Sequence, residues 1–268
     1  MKPGTVITST HNPKIKSLLS LEKARERRKQ GLFVVEGEKE IRMALEAGYR
    51  IGNLFYCEEI ISREKLEPLF TQDKLLIPVT SEIFEKIAVR ESTGGMVAVA
   101  EQKIHRLDNL RLGKNPLLIV VEAVEKPGNL GAILRTADPA GADGVIICDP
   151  QTDFYNPNVI RSSVGCVFHV STASATSDEA IDWLHEKGIK IFSTYVTSSM
   201  PYHQVDFQEP CAIIMGTEAT GLSEVWIKNA DATVRIPMAG KNDSLNVSTA
   251  TAVVVFEACR QRGFDPAS

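Results

Sequence analysis

Residues 117–138 read LLIVVEAVEKPGNLGAILRTAD, and this stretch decides how the C-terminal half of the 268-residue chain is expected to fold. Its first eight residues form a near-continuous apolar run, which is typical of a strand buried on both faces of a parallel sheet. A turn containing Gly and Asn follows, and then a helical segment that Pro139 is expected to end. The order of strand, turn and helix predicts the first unit of a parallel α/β sheet.

The residues after this stretch repeat the alternation of strand and helix. Further strands are predicted at residues 144–149, 190–196, 211–216 and 233–238. The last segment, residues 246–258, consists of small and β-branched residues and lacks a polar face for its first turns. It is therefore predicted to be a helix buried against the sheet, a ligand or another subunit. The C-terminal domain is predicted to span residues 115–268.

A second, smaller α/β module is predicted before this domain, over residues 1–104. It is expected to begin with one basic helix over residues 14–30. Strands are predicted at residues 32–37, 53–57, 75–80 and 95–101, with helical segments between them. Residues 105–114 are polar and contain Gly113, so they are predicted to be a linker.

The N-terminal end of the chain is locally basic, although the whole chain has a formal net charge of −4. Residues 1–30 contain eight Lys or Arg residues against two Glu residues. Such a cluster fits contact with nucleic-acid phosphates, and a solvated helix surface explains it equally well. The candidate RNA-binding residues are Lys14, Lys16, Arg25, Arg27, Arg28 and Lys29.

The overall composition excludes several classes of protein. Hydrophobic residues make up 43% and charged residues 24%, as in an ordinary globular protein. The five cysteines include no CxxC pair and the five histidines no HxxxH spacing, so neither a disulfide framework nor a metal site is expected. The start of the chain does not resemble a secretory signal, and its apolar runs are too short for a bilayer. A cytoplasmic protein without a membrane partner is expected.

The first of three polar segments opens the helix after residues 117–124. Asn129 and Arg135 lie six residues apart in it, and Arg135 is expected to reach a ligand above the carboxyl edge of the sheet. The alternative is that Asn129 only caps the helix and Arg135 is a surface ion-pair partner.

The second and third polar segments follow later strands. In residues 213–226 (IIMGTEATGLSEVW), Glu218 lies between two glycines that allow positive φ or close approach of a ligand. In residues 236–262, Ser244 and Asn246 stand where the predicted final helix begins. For Glu218, Ser244 and Asn246 alike, a helix cap is the alternative to a functional role.

Taken together, the three segments closely resemble the three motifs of the SpoU (TrmH-like) branch of the SPOUT methyltransferase superfamily. The resemblance covers residues 115–262, with the motifs in the expected order. The stretch FVVEGEKEIRMALEAG is similar, more loosely, to the substrate-binding domain ahead of many such enzymes, which resembles a ribosomal protein that binds RNA. The strand of the first motif ends in Glu122, Glu125 and Lys126 where relatives often have Asp before Pro-Gly, and Pro139-Ala140 replaces a commoner pair of a small and an aromatic residue. Neither departure removes a polar motif residue.

The resemblance implies a fold, a reaction and partners. The parallel sheet would be threaded into a deep trefoil knot, a rare exception among protein folds. The reaction would be S-adenosylmethionine-dependent methylation of a ribose 2′-hydroxyl in RNA without a metal, with large-subunit ribosomal RNA preferred over tRNA. The enzyme would be a homodimer whose catalytic arginine acts near the partner's cofactor.

The resemblance also implies roles for individual residues. Arg135 would activate the 2′-hydroxyl, and stabilising the developing alkoxide is easier than acting as a base, because an arginine holds its proton up to a pH of about 12. Asn129 would orient the hydroxyl or Arg135. The other catalytic candidates are Glu218, Ser244 and Asn246. The candidate cofactor-binding residues are Thr194, Gly216, Ile236, Met238 and Leu245.

Two other classes of function compete with this interpretation. A non-catalytic RNA-binding or ribosome-assembly protein can share the fold, but the polar motif residues are intact. A nucleotide-dependent oxidoreductase would use GNLG as a phosphate loop, but no acidic residue follows at the distance needed to bind a ribose.

Overall fold

The structure is a computed structural model that describes residues 5–69, 76–88, 94–198, 200–217, 220–241 and 243–264. Contacts divide the chain into two compact units. The first comprises Met1–Lys103 and Tyr155–Arg161, and the second comprises Ile104–Phe154 and Ser162–Ser268. Within the described ranges, no helix is both long and apolar enough to cross a membrane.

The first unit is an α/β fold around a mixed sheet. Its elements are α1 (Pro13–Ser20), α2 (Ala24–Gln30), β1 (Leu32–Glu36), α3 (Glu38–Glu46), β2 (Ile51–Cys57), α4 (Arg63–Leu66), β3 (Leu76–Val79), α5 (Ser81–Ile87) and β4 (Met96–Glu101). The described strands lie in the order β1-β4-β2-β3, with β4 antiparallel to β1 and β2, and β3 parallel to β2. Side chains of α1 and α5, such as Ile15 and Phe84, pack on one face of this sheet.

The basic N-terminal segment forms two helices, not the single helix predicted over residues 14–30. Arg27 of α2 is only 2% exposed, and its Nη1 donates to the carbonyl oxygens of Leu21 (2.9 Å) and Glu22 (2.7 Å) just after α1. Carbonyl groups at a helix end lack partners within the helix, so a buried guanidinium there stabilises the break. Arg27 is thus a structural residue, which corrects its expected place in the RNA-binding set. The other candidates are exposed, namely Lys14, Lys16, Arg25, Arg28 and Lys29.

We expect Arg27→Ala to lower the free energy of unfolding by about 1–3 kcal/mol, because two carbonyl groups lose a charged donor. Arg28→Ala changes an exposed neighbour and should shift it by less than about 0.5 kcal/mol. Urea unfolding followed by circular dichroism measures both variants. If Arg27→Ala lowered the free energy of unfolding as little as Arg28→Ala does, the structural role of Arg27 would be wrong.

The second unit is built around a parallel sheet. Its elements are β5 (Leu117–Glu122), α6 (Pro127–Ala137), β6 (Gly144–Cys148), β7 (Thr172–Ala175), α8 (Ser177–Glu186), β8 (Lys190–Thr194), β9 (Cys211–Met215), α9 (Glu224–Lys228), β10 (Ala232–Val234) and α10 (Val247–Gln261), while α7 (Pro157–Ser162) starts in the first unit and ends in the second. The described strands lie in the order β10-β8-β9-β5-β6-β7, and all these pairs are parallel. The predicted parallel α/β sheet is confirmed, and the trefoil knot stays a prediction.

Strand β5 lies at the centre of this sheet. All six of its residues are buried, as the apolar run predicted. Helix α6 begins with Pro127 and ends at Ala137, just before Pro139, because proline cannot continue a helix. The edge strand β7 was not predicted, since its sequence Thr-Ala-Ser-Ala is short and lacks large apolar residues.

Residues 105–114, expected to be a linker, pack within the second unit. Leu110 is buried in its core, and Leu107 and Leu112 pack against the same cluster. His105 Nδ1 lies 2.7 Å from Thr172 Oγ1 at the start of β7. Three leucines at short intervals therefore give this polar stretch an apolar side.

Candidate active site

The candidate site lies at the carboxyl ends of β5 and β9, which are neighbours in the parallel sheet. From β5 the chain continues to β6 and β7 on one side, whereas β8 and β10 lie beyond β9 on the other. In open α/β sheets, ligands bind at the carboxyl ends of the strands, beside the point where the order of the strands reverses direction. A cavity of about 90 Å³ opens there, lined in part by Glu122, Asn129, Gly216, Thr217 and Val247.

Asn129, a predicted catalytic residue, lines this cavity and contacts a second predicted catalytic residue, Asn246. Asn246 Nδ2 donates to Asn129 Oδ1 at 3.2 Å, although the two residues are 117 positions apart in the sequence. Asn246 also caps α10, because its Oδ1 accepts a hydrogen bond from Ser248 N at 3.1 Å. Asn246 can therefore cap α10 and also belong to the site. Its contact with Asn129 joins the first and third motifs.

Arg135 lies on the same helix as Asn129 but on a different side of it. Six residues along an α-helix correspond to a rise of about 9 Å and a rotation of about 240°. The Arg135 side chain is exposed, and within the described residues it forms no ion pair. The alternative of a surface ion pair thus has no support among the described residues, and a single chain does not bring Arg135 to the Asn129–Asn246 pair.

Glu218 and Ser244 are the two remaining predicted catalytic residues. Glu218 lies outside the described residues. Ser244 is exposed in the loop before α10, and its Oγ donates to Asp243 Oδ1 at 3.2 Å. Ser244 does not cap α10, because Asn246 does so.

The predicted cofactor-binding residues gather around three adjacent parallel strands. Thr194 ends β8, Gly216 follows β9, Ile236 and Met238 follow β10, and Leu245 lies in the loop before α10. The Thr194 hydroxyl donates to the carbonyl oxygen of Ile214 in β9 at 2.8 Å. Met238 and Leu245 are each 37% exposed, so these loops offer apolar surface beside main-chain polar groups.

Gly216 is needed because two segments of main chain touch there. A Cβ atom on Gly216 would lie 2.3 Å from the carbonyl carbon of Gly221 and 2.5 Å from the nitrogen of Leu222. Gly221 has a positive φ of 69°, which favours glycine. Thr217 and Gly221 also exchange main-chain hydrogen bonds of 3.1 and 3.2 Å. This close packing of main chain is sufficient to require glycine at position 216, and its place in a cofactor site stays a prediction.

Glu122 is a charged residue of the cavity that sequence reasoning did not place in the site. It ends β5, is 8% exposed, and accepts hydrogen bonds from Ser223 N (2.8 Å) and Ser223 Oγ (2.5 Å). Burial has the largest effect on the pKa of the Cys148 thiol and raises it, and the charges of Asp149 and Glu122 raise it further. The thiol therefore stays protonated. The available signal was a carboxylate ending an apolar strand, because a buried charge requires partners.

One group of possible metal ligands lies together among the described residues. The ligand atoms of Asp138, Cys166 and His169 all lie within 4.8 Å of one another. His169 Nε2 is 2.8 Å from Asp138 Oδ1, so a hydrogen-bonded pair accounts for this arrangement. The expectation that no metal takes part stays a prediction.

Comparison with known proteins identifies related sequences. Residues 116–256 match the SpoU rRNA Methylase family, and residues 12–98 match the MRM3-like substrate binding domain. The chain is 28% identical to the 23S rRNA (guanosine(2553)-2′-O)-methyltransferase RlmP of Bacillus subtilis. The alignment spans 250 residues and covers 93% of this chain and 97% of that relative.

A second relative and a solved structure agree with this match. The chain is 32% identical over 247 residues to the 23S rRNA (uridine(2479)-2′-O)-methyltransferase of Streptomyces viridochromogenes, covering 88% of this chain and 85% of the other. The AdoMet-bound rRNA methyltransferase of Sinorhizobium meliloti superposes with a TM-score of 0.88 at 30% identity, covering 97% of this chain and 98% of that chain. The resemblance seen in the three motifs is confirmed, and the chain belongs to the SpoU rRNA methylase family.

Proposed function

We propose that this protein is an S-adenosylmethionine-dependent methyltransferase that modifies a ribose 2′-hydroxyl of large-subunit ribosomal RNA. The observation that carries the proposal is the contact of Asn246 with Asn129, which lines the cavity together with Gly216, so that parts of all three motifs come together. The two relatives are named as 23S rRNA 2′-O-methyltransferases and align over most of both chains, which supports the substrate class. A ribosomal RNA substrate in turn supports a location in the cytoplasm.

S-adenosylmethionine, when bound, supplies a methyl group carried on a positively charged sulfur. The loops after β8, β9 and β10 fit such a ligand, because half-exposed Met238 and Leu245 offer apolar surface to a flat base. Main-chain N–H and C=O groups of the same loops are suited to its polar edges. The residues that would hold it are Thr194, Gly216, Ile236, Met238 and Leu245.

The protein's own task is to align the ribose hydroxyl and to help it lose its proton, since a hydroxyl is a poor nucleophile. Asn129, at the cavity, and Asn246, which donates to it, form a polar pair that orients the hydroxyl. The Arg135 guanidinium stabilises the developing alkoxide. Ser244 and Glu218, in the motif loops, complete the proposed polar set.

A homodimer explains why Arg135 stands apart from this pair. We propose that Arg135 of one protomer serves the cavity of its partner. Helix α10 supports a dimer, because Val254 and Val255 are buried within the chain while Phe256 is 39% exposed and Val253 is half-buried. An exposed phenylalanine on this helix fits contact with a second copy.

Phe256→Glu is expected to weaken the dimer by about 2 kcal/mol or more, because it buries a charge at an apolar contact. Size-exclusion chromatography with light scattering measures the shift to monomer, and methylation should fall with it. Ile60→Glu, a change at a 58% exposed apolar residue of the first unit, is the matched control. A monomeric Phe256→Glu variant with full activity would refute the shared site.

The first unit is proposed to bind the RNA. Lys14, Lys16, Arg25, Arg28 and Lys29 are exposed on α1 and α2, where phosphates would contact them. In this proposal, residues 1–104 hold the RNA and residues 115–268 carry out methyl transfer.

Two measurements test the proposed function. Calorimetry should detect binding of S-adenosylmethionine and none of NAD. Mapping of ribose methylation in RNA from cells with and without the protein should reveal one missing site in large-subunit ribosomal RNA. Loss of a tRNA site would favour the tRNA alternative, and loss of no site would favour a non-catalytic RNA-binding protein.

A further inference from the structure

The buried carboxylate of Glu122 stands at the base of the loop that follows β9. Glu122 is the last residue of β5, the neighbour of β9, and it lines the same cavity as Asn129 and Gly216. Its two oxygen atoms take both polar groups of Ser223, the main-chain N–H at 2.8 Å and the hydroxyl at 2.5 Å. The Glu122 side chain, on the central strand β5, therefore holds Ser223, the last residue of the loop that follows the neighbouring strand β9.

The described residues of this loop, 216–217 and 220–223, contact one another, so a constraint at Ser223 reaches Gly216. Thr217 and Gly221 exchange main-chain hydrogen bonds, and Gly216 packs against the backbone of Gly221 and Leu222. Leu222 is 7% exposed and lies in the core of the second unit. Movement at Ser223 therefore shifts the backbone that Gly216 touches.

A second set of hydrogen bonds holds the surroundings of Glu122. Ser177 Oγ donates to Asp149 Oδ2 at 2.6 Å and lies 3.3 Å from Glu122 Oε1. Trp226 of α9 donates from Nε1 to the same Ser177 oxygen at 2.9 Å. Polar networks that are buried and satisfied in this way are rigid and specify one arrangement.

The backbone next to Glu122 is strained. Ala123 has a φ of 47°, a region that residues with a Cβ seldom adopt, and its N–H donates to the carbonyl oxygen of Cys148 at 2.8 Å. Such strain persists where the surrounding structure fixes it, and it is concentrated at functional sites. Here it turns the chain sharply directly after Glu122.

We infer that Glu122 is a positioning residue for methyl transfer, which through Ser223 holds the main chain of residues 216–217 and 221–223 in place for S-adenosylmethionine. The inference rests on the proposed function and deepens it. A side chain of the same length without acceptors leaves both polar groups of Ser223 without this partner. The loop then has more than one arrangement, and part of the binding free energy is spent on ordering it.

Glu122→Met removes both acceptors at nearly constant length, and Glu122→Gln keeps one of them. We expect the dissociation constant for S-adenosylmethionine, measured by calorimetry, to rise about 10- to 100-fold for Met and less for Gln. The KM for S-adenosylmethionine should rise in parallel, whereas kcat at saturation should change less. Activity is measured with large-subunit ribosomal RNA transcribed in vitro.

Asp143→Asn is the matched control at the opposite end of β5. The Asp143 carboxylate also accepts two main-chain hydrogen bonds, from Gly113 N (2.6 Å) and Leu117 N (2.8 Å). Its loss should lower the melting temperature without changing affinity for S-adenosylmethionine. Hydrogen exchange without any ligand supplies an independent measurement, because the amides of Thr217, Gly221 and Ser223 should exchange faster in Glu122→Met only.

The outcomes separate this inference from the proposed function. If the wild-type protein binds no S-adenosylmethionine, the proposed function fails. If it binds and Glu122→Met binds equally well with unchanged exchange in the loop, the positioning role is wrong and Glu122 serves only stability. Should Glu122→Met not fold, Ser223→Ala carries the test, because it removes one of the two groups that Glu122 holds, and unchanged affinity there overturns the inference.

Discussion

Replacing Arg135 by alanine is expected to lower kcat for RNA methylation by about 10²- to 10³-fold, the usual cost of losing one group that stabilises a developing oxyanion. Affinity for S-adenosylmethionine should stay within about twofold in calorimetry, because the loops after β8, β9 and β10 lie elsewhere. The change should be nearly neutral for folding, since Arg135 is exposed and forms no ion pair within the described residues. Incorporation of labelled methyl groups into ribosomal RNA measures the rate.

Arg111→Ala is the control for the loss of a positive charge. Arg111 is exposed in the same unit but lies before β5, away from the carboxyl edge. Arg135→Lys keeps the charge and loses the planar fork of donors, so it should recover only part of the rate. A rate for Arg135→Ala within tenfold of the wild type, or an equal loss in Arg111→Ala, would remove Arg135 from the chemistry.

Gly216→Ala is expected to lower affinity for S-adenosylmethionine at least about 100-fold and to reduce the free energy of unfolding by about 1–3 kcal/mol. The new methyl group would lie 2.3 and 2.5 Å from main-chain atoms of Gly221 and Leu222. Main chain cannot rotate away as a flexible side chain can, so the loop must shift. Calorimetry and urea unfolding measure the two effects.

Gly52→Ala supplies the control for the glycine change. A Cβ atom there meets only Val99 O, at an ordinary 3.7 Å, in the first unit. Its affinity for S-adenosylmethionine should equal that of the wild type. Unchanged affinity in Gly216→Ala would show that the loop after β9 does not hold the cofactor.

The two variants together test whether the site is shared between protomers. If Arg135 serves the partner's cavity, a mixed dimer of Arg135→Ala and Gly216→Ala chains has one intact site, and an equal mixture should recover about a quarter of wild-type activity. If Arg135 serves its own chain, every site in the mixed dimer carries one defect. No recovery in dimers shown to be mixed would then contradict the shared site.

Local patterns predicted the framework of the second unit well. The apolar run predicted β5, and Pro139 predicted the end of α6, whereas the helix begins at Pro127, earlier than the expected turn. Both signals act within a few residues, because burial on two faces and the missing proline N–H are local constraints. The resemblance of the motifs, confirmed by the family match, supplied the reaction class.

Other features depend on contacts that a local pattern does not specify, and they were missed. Arg27 was counted with the exposed basic residues, but it is buried against the carbonyl groups at the end of α1. Glu122 was read as the end of a strand, and its importance follows from Ser223, which is 101 positions away. Neither helical period nor composition carries information about such partners.

By itself, the sequence determined the α/β class, the strand at the centre of the sheet and the polar residues available for chemistry. Only the tertiary structure decided which of those residues meet. Asn129 and Asn246 come together because α6 and α10 both begin near the carboxyl edge, whereas Arg135, on the same helix as Asn129, is turned away by the helical rotation. The path of the chain across the sheet sets these contacts, and no pattern within a short segment encodes that path.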